Sequence, residues 1–363
     1  MEKVRIAVVG LGRMGTIHVL HAAEVAAERG GCTVSALVDA DDARARRATD
    51  DLAAQFGIEP RAFSSIEELL NSGASNAAIV ATPTHLHREH AGMLARAGHR
   101  ILLEKPLTDA LQSDREFVRE LAGTAPHAIM LGFQRRFDPP LMRAKQLIDE
   151  GAIGKPFKVV SILEDSNPVP DGYSSPGILK DMSVHDVDEV LWLFGASPTS
   201  AVSLGSNVYS HRLSTAEEDF DDALVQMWFA DGRTAQVQVS RNHVSGYHVE
   251  TWIFGEKGQI HVGHFDQNRF EVLLEAYGRE TTIEKRVFPL RRYHRRLAEF
   301  ADRFGPAYKV EVEEFVRCCQ TGNPFPVDQN DGLQAMEVIE AATRGLVTGD
   351  MAARVGAVGV SAT

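Results

Sequence analysis

Short apolar runs alternate with amphipathic stretches through the first part of the chain. Val4–Val9, Thr33–Val38, Ala77–Ala81, Arg100–Leu103 and His127–Leu131 have the length and composition of buried strands. Between them, Met14–Ala27, Asp41–Gln55, Ser65–Asn71, His85–Arg96 and Ala110–Leu121 read as helices. Ser64 or Ser65, with Glu67 and Glu68 in the first turn, marks the start of the short helix at Ser65–Asn71. Strands that alternate with helices pair in parallel through crossovers, so this part is expected to be a doubly wound sheet.

The pattern changes after about residue 132. A helix (Pro139–Glu150) and a strand (Phe157–Leu163) lead into an irregular segment, Glu164–Lys180, which holds Pro168, Pro170, Gly172, Pro176 and Gly177. A helix from Asp181 to Phe194 follows. Then come strand-like runs with no helix between them: Thr199–Tyr209, Ala223–Phe229, Thr234–Ser240, Val249–Phe254, Gln259–Val262, Phe270–Leu274 and Thr282–Phe288. Asp231-Gly232 and Lys257-Gly258 read as hairpin turns. Helices close the chain at about 293–321 and 331–348. Strands in succession favour antiparallel pairing. The expected architecture is an α/β Rossmann domain over residues 1–132 and an α+β domain over 133–363 with a large, mostly antiparallel open sheet. A cleft is expected between them, and the C-terminal helices can pack back on the first domain.

Composition narrows the function classes. The chain has 363 residues and a formal net charge of −12, which argues against nucleic acid as a partner because phosphate binding needs a basic face. No apolar run reaches the ~18 residues of a membrane helix. The chain enters its first strand at Val4 with no basic and apolar leader, so a cytoplasmic location is expected. Cys32, Cys318 and Cys319 form no disulfide or zinc spacing and read as packing residues.

Gly10-Leu11-Gly12-Arg13-Met14-Gly15 is a Gly-x-Gly-x-x-Gly run between a strand and a helix, the context in which it binds a dinucleotide. Gly10 allows the tight turn, Gly12 the approach of the pyrophosphate, and Gly15 close packing of helix on strand. Asp39, just past the second strand, suits the adenosine ribose hydroxyls and repels an added 2′-phosphate. NAD is therefore expected over NADP, with Arg44 the residue that weakens this preference. A methyltransferase using S-adenosylmethionine shares these two features, so residues further on must decide.

Two later elements carry chemistry. Glu104-Lys105-Pro106 stands at the carboxyl end of the strand Arg100–Leu103, where ligands of open α/β sheets sit. In Asp181-Met-Ser-Val-His185-Asp186-Val-Asp188, positions 181, 185 and 188 share a helix face, with Val187, Val190, Leu191 and Phe194 roughly opposite. The polar face is thereby left for a cleft, although a solvated face with a chance histidine has the same pattern. His85-Leu-His87-Arg-Glu-His90 invites a metal reading, but it begins a helix, where His-x-His does not converge. No metal is expected there or at Asp181/His185, and no nucleophile elbow or P-loop is present.

These residues together resemble the glucose–fructose oxidoreductase, inositol dehydrogenase and rhizopine-catabolism protein family. The likeness covers nearly the whole chain and includes the glycine run, Ala81-Thr82-Pro83-Thr84-x-x-His87, Glu104-Lys105-Pro106 and Asp181-x-x-x-His185. Within the family, the chain is similar to the myo-inositol 2-dehydrogenase branch at Gly132–Asp138, Asp181–Asp188, Arg303–Tyr308, Ser240-Arg241 and Gly246-Tyr247. The resemblance implies a homodimer or homotetramer joined through the exposed sheet face, and oxidation of a secondary hydroxyl on a cyclic polyol or sugar with NAD. It implies cofactor contacts at Gly10, Gly12, Arg13, Met14, Gly15, Asp39, Thr82, Pro83, His87, Glu104 and Lys105. Substrate contacts are implied at Lys105, Asp181, His185 and Tyr247. His185 is then the general base, Lys105 holds the reacting oxygen, and Asp181 binds a neighbouring hydroxyl or orients His185. Asp188 supports them if it points the same way. The chain departs from the branch at Glu164-Asp165-Ser166-Asn167-Pro168, Pro176-Gly177, His248 and Leu191. These changes bear on which substrate is used. A dehydrogenase of another sugar, anhydrosugar or aminosugar, or a non-catalytic dinucleotide-binding regulator, are the alternatives.

Overall fold

The computed structural model describes residues 3–166, 176–207, 219–263, 270–290 and 299–347. The first part alternates strands β1 (Val4–Val9), β2 (Cys32–Val38), β3 (Arg61–Phe63), β4 (Ala77–Val80), β5 (Arg100–Glu104) and β6 (Ile129–Gly132) with helices α1 (Arg13–Arg29), α2 (Asp42–Phe56), α3 (Ile66–Ser72), α4 (His87–Arg96) and α5 (Leu111–Thr124). All six strands are parallel in the order β3-β2-β1-β4-β5-β6. Ile6, Val8, Ile79 and Leu102 are wholly buried, as strands covered on both faces require. Helix ends follow local chemistry. The Asp41 carboxylate accepts from the Ala43 and Arg44 amides, and Ser65 caps α3 through the Glu68 amide. β3 was not expected from the pattern. It has three residues, two of them exposed, so no apolar run marks it.

The second part packs α6 (Pro139–Asp149), α7 (Val184–Phe194) and α9 (Gln329–Arg344) against a nine-stranded sheet. Its strands are β7 (Pro156–Ser166), β8 (Ser200–Ser206), β9 (Asp222–Trp228), β10 (Thr234–His243), β11 (His248–Gly255), β12 (Gly258–Gly263), β13 (Glu271–Gly278), β14 (Thr282–Pro289) and β15 (Leu346–Val347). They run in the order β14-β13-β12-β11-β7-β10-β9-β8-β15. Pairing is antiparallel except for β7 with β10 and β8 with β15. Residues alternate between faces. Val159, Ser161, Leu163, Val249, Thr251 and Ile253 are buried toward the helices, while Leu204 and Trp228 lie exposed on the other face. Helix α8 (Glu299–Thr321) packs on α1, and α9 also touches α5, so the C-terminal helices return to the first sheet.

Several boundaries move. The turn expected at Lys257-Gly258 sits one residue earlier, and Gly258 opens β12. A Cβ there would come within 2.3 Å of the Tyr277 carbonyl, so the glycine serves a close strand approach rather than a turn. Asp231-Gly232 does make the β9–β10 turn, with Gly232 at φ +86°. The strand expected at Phe270–Leu274 extends to Gly278. Pro168, Pro170 and Gly172, the end of the run to Tyr209, residues 293–298 and residue 348 lie outside the described residues.

Candidate active site

The strand order places β1 beside β4, where the sheet reverses direction of growth, and ligands bind beyond the carboxyl ends of strands at such a point. Gly10, with φ +84°, turns the chain there, and a Cβ on it would press within 2.7 Å of the Ala81 carbonyl. A Cβ on Gly15 would come 1.8 Å from the Gly10 carbonyl, so helix and loop touch directly. Gly12 is exposed, with nothing within 4 Å of where a Cβ would stand. That open side, above an α1 N-terminus that no side chain caps, fits a pyrophosphate. Arg13 is exposed, its guanidinium 5.3 Å from the Phe300 ring, and Met14 is half-buried beside it.

Asp39 ties the glycine loop to the end of β2. One carboxylate oxygen accepts from the Leu11 amide at 2.7 Å and the other from the Asp41 amide at 2.9 Å. Arg44 approaches the same carboxylate at 3.2 Å with its side chain half-exposed. The ribose position thus has a fixed acceptor with a cation against it, and Arg44 supplies the positive charge that Ala40 and Asp41 do not.

Thr82 and Pro83 follow β4 on the same edge of the sheet. His87, expected at the cofactor, is only 1% exposed. Its Nδ1 lies 2.8 Å from the Pro106 carbonyl and its Nε2 2.9 Å from the Thr82 carbonyl. Glu104 is likewise turned inward, 2.6 Å from the His18 Nε2 of α1, with its other oxygen accepting from the Lys105 amide. Both residues brace the Thr82-Pro83 and Lys105-Pro106 segments from beneath. The reason is their strand-end and first-turn positions, which aim the side chains into the core. His85 is exposed, and His90 is half-buried with Nδ1 3.2 Å from the Thr82 hydroxyl.

Lys105, Asp181 and His185 come together. The chain before α7 makes a π-helical turn over Leu179–Ser183, which carries Asp181 to the end of β5. Lys105 Nζ donates to the Asp181 backbone carbonyl at 3.0 Å and stands 3.9 Å from its carboxylate. His185 follows in the first turn of α7, its ring edge-on to Phe133 with centroids 6.4 Å apart. Its Nδ1 is buried with no hydrogen-bond partner. Burial, then the positive charges of Lys105 and Arg135, hold its pKa well below 6.5. The imidazole is therefore neutral at physiological pH and able to accept a proton.

Asp188 does not join this group. It is wholly buried, and Arg136 grips it through two bonds of 2.9 and 2.6 Å while also reaching Asp331 at 2.9 Å. The expectation of a free polar face fails because α7 lies between the sheet, α9 and the turn Gln134–Phe137, leaving both sides covered. Its remaining acids are tied in the same way. Arg135 bonds Asp186 at 2.6 Å and Glu189 at 3.0 Å, Ser161 donates to Asp186, and Thr251 donates to Glu189. Burial raises Glu189 to about 7, against the pull of Arg135. Sequence reasoning missed this buried set. Its signal was the pair Arg135-Arg136 beside a helix with acids at 186, 188 and 189 that alternate between faces. Tyr247 lies at the edge of the same region, half-buried, edge-on to Phe304 at 6.4 Å and within electrostatic reach of Arg135. Leu191 is a buried core residue, so that departure from the branch falls in packing.

Among the described residues, no helix is long and apolar enough to cross a membrane. Residues 4–132 match the family described as "Oxidoreductase family, NAD-binding Rossmann fold", and residues 141–261 match the "GFO/IDH/MocA C-terminal domain". The chain is 30% identical over 344 residues to the inositol 2-dehydrogenase of Rhizobium meliloti (strain 1021), covering 94% of this chain and 96% of the relative. It is 30% identical over 350 residues to the scyllo-inositol 2-dehydrogenase (NAD(+)) of Bacillus subtilis (strain 168), covering 96% and 95%. The solved myo-inositol 2-dehydrogenase of Lactobacillus plantarum superposes with a TM-score of 0.75 at 25% identity, over 95% of this chain and 97% of that one. The glycine loop, the anchored Asp39 and these full-length likenesses agree: the chain belongs to the GFO/IDH/MocA oxidoreductase family and binds NAD on its Rossmann fold.

Proposed function

We propose that this enzyme oxidises a secondary hydroxyl of an inositol-class cyclic polyol, with residues 1–132 holding NAD and residues 133–363 holding substrate and the oligomer contacts. The observation that carries the reading is the junction of Lys105, Asp181 and the neutral His185 beyond the β5 end, near the glycine loop. The bound nicotinamide supplies the hydride acceptor. The protein must then remove the hydroxyl proton and steady the charge that develops on oxygen. His185 takes the proton, since its lowered pKa leaves it unprotonated. The Lys105 ammonium, already tethered to the Asp181 carbonyl, donates to the reacting oxygen and stabilises alkoxide character. The Asp181 carboxylate accepts from a neighbouring hydroxyl, which fixes the ring. Tyr247 lines the far wall. Gly10, Gly12, Arg13, Met14, Gly15, Asp39, Thr82 and Pro83 face the cofactor, with His87 and Glu104 in support.

The full-length relatives that act on inositols support the substrate class. We place the chain in the cytoplasm and expect a homodimer or homotetramer. The direct test is absorbance of reduced nicotinamide with NAD or NADP against a panel that contains myo-inositol, scyllo-inositol and simple sugars. The reading predicts the strongest signal for an inositol with NAD. A stronger signal for another sugar would keep the chemistry and change the substrate. Tight NAD binding with no turnover of any polyol would favour a regulator.

A further inference from the structure

We propose that Glu164, His243 and His248 form a binding site for one divalent transition-metal ion of the zinc class, outside the catalytic chemistry. The three residues come from neighbouring strands β7, β10 and β11 at one end of the nine-stranded sheet, and the register pairs His248 with Glu164 and His243 with Ser166. Each offers one ligand atom, and the three atoms lie within 4.8 Å of one another. His248 Nδ1 is 2.7 Å and His243 Nε2 is 3.6 Å from Glu164 Oε2. Ligand atoms ~2.1 Å from a tetrahedral zinc stand ~3.3 Å apart. The two observed separations bracket that value.

The opposite ring nitrogens give the stronger argument. His243 Nδ1 donates to the Gly246 carbonyl at 2.5 Å. His248 stands between two carboxylates, Nδ1 2.7 Å from Glu164 and Nε2 3.0 Å from Glu250, so an ion at Nδ1 must displace a proton while Nε2 keeps its bond to Glu250. A carbonyl can only accept, so His243 carries a proton on Nδ1 and faces Glu164 with Nε2. Metal-bound histidines are oriented in this way, with the distant nitrogen donating to a carbonyl or carboxylate. Gly246, at φ +106°, makes the turn that sets the two imidazoles side by side, with centroids 5.0 Å apart. All three ligands are half-buried, so an ion can reach them from solution. Two imidazoles and one carboxylate suit zinc, and three protein ligands leave a fourth position for water. The ion would pin the turn that carries Tyr247 to the strand that leads toward the catalytic helix. The inference does not depend on the identity of the substrate.

The test uses the full chain, stripped with a chelator and titrated with Zn²⁺ against a competing indicator, with Co²⁺ as a spectroscopic probe. The wild type is expected to take up one ion that is lost in His243→Gln and in Glu164→Gln, and to show the visible band of four-coordinate cobalt. Glu250→Gln is expected to weaken binding about 10–100-fold, as removal of a partner to a metal-bound histidine does. NAD binding and circular dichroism confirm that each variant is folded. A wild type that takes up no ion at micromolar concentration overturns the proposal, whatever the variants do. So does uptake by folded His243→Gln and Glu164→Gln equal to that of the wild type.

Discussion

A single histidine shows how environment assigns a role. His185 has a buried Nδ1, a ring against Phe133 and two nearby cations, and each disfavours the imidazolium. If it is the base, kcat/KM of the free enzyme falls in acid only where His185 protonates, and that midpoint lies below 6.5 because the shift is downward. A pH profile with the preferred polyol checks this, and a limb above 6.5 would exclude it as the titrating group. His185→Ala should reduce kcat by about 100-fold or more, as loss of a general base does. The lowered pKa has a consequence for stability as well. Below 6.5 the unfolded chain binds a proton that the folded chain refuses, so this residue favours unfolding as the medium becomes acid. Lys105 and Asp181 were legible from the sequence because strand end and helix start are local features. The inward turn of His87 and Glu104 was not, because their partners, the Pro106 carbonyl and His18, are supplied by other elements.

At the level of elements, α7 is held by charge as much as by apolar packing. Arg135 is 1% exposed and faces two wholly buried carboxylates, Asp186 and Glu189. Replacing a buried pair with apolar groups can be neutral, but removing one partner leaves the other charge unpaired. Arg135→Met should therefore destabilise the protein by ~3–5 kcal/mol, measured by urea unfolding at neutral pH. The deficit should shrink on acidification, since the abandoned carboxylates become neutral by binding protons; Glu189 already sits at about 7. A deficit that is constant with pH would mean that lost packing, not charge, is the cause. The sequence showed the helix and its acids. It could not show that the turn Gln134–Phe137 would lie alongside, because that contact spans more than fifty residues.

At the level of the molecule, the outer face of the nine-stranded sheet carries exposed apolar side chains among the described residues. Trp228 is 41% and Leu204 44% exposed there, on adjacent strands β9 and β8. Both point away from the helices, toward the side on which a second sheet can stack. If a second copy covers this face, the wild type elutes as a dimer or tetramer by light scattering, and Trp228→Glu shifts it toward the monomer. A monomeric wild type would place the oligomer contacts elsewhere or remove them. The return of α8 onto α1 and of α9 onto α5 also belongs to this scale, since it joins the last helices to the first sheet.

Local rules carried much of this protein. Apolar periodicity defined most strands and helices, and the Gly10–Gly15 run with Asp39 marked the dinucleotide site, because turn, cap and strand-end chemistry depend on neighbours in sequence. Tertiary structure decided what depends on distant partners. It set the order of the second sheet, the buried bonds of Asp186, Asp188 and Glu189, and the π turn that brings Asp181 to Lys105. It also brought Glu164, His243 and His248 to one end of three strands. The 78 residues between Glu164 and His243 carry no period that predicts such a meeting, because it depends on the pairing of β7 with β10, two strands distant in sequence.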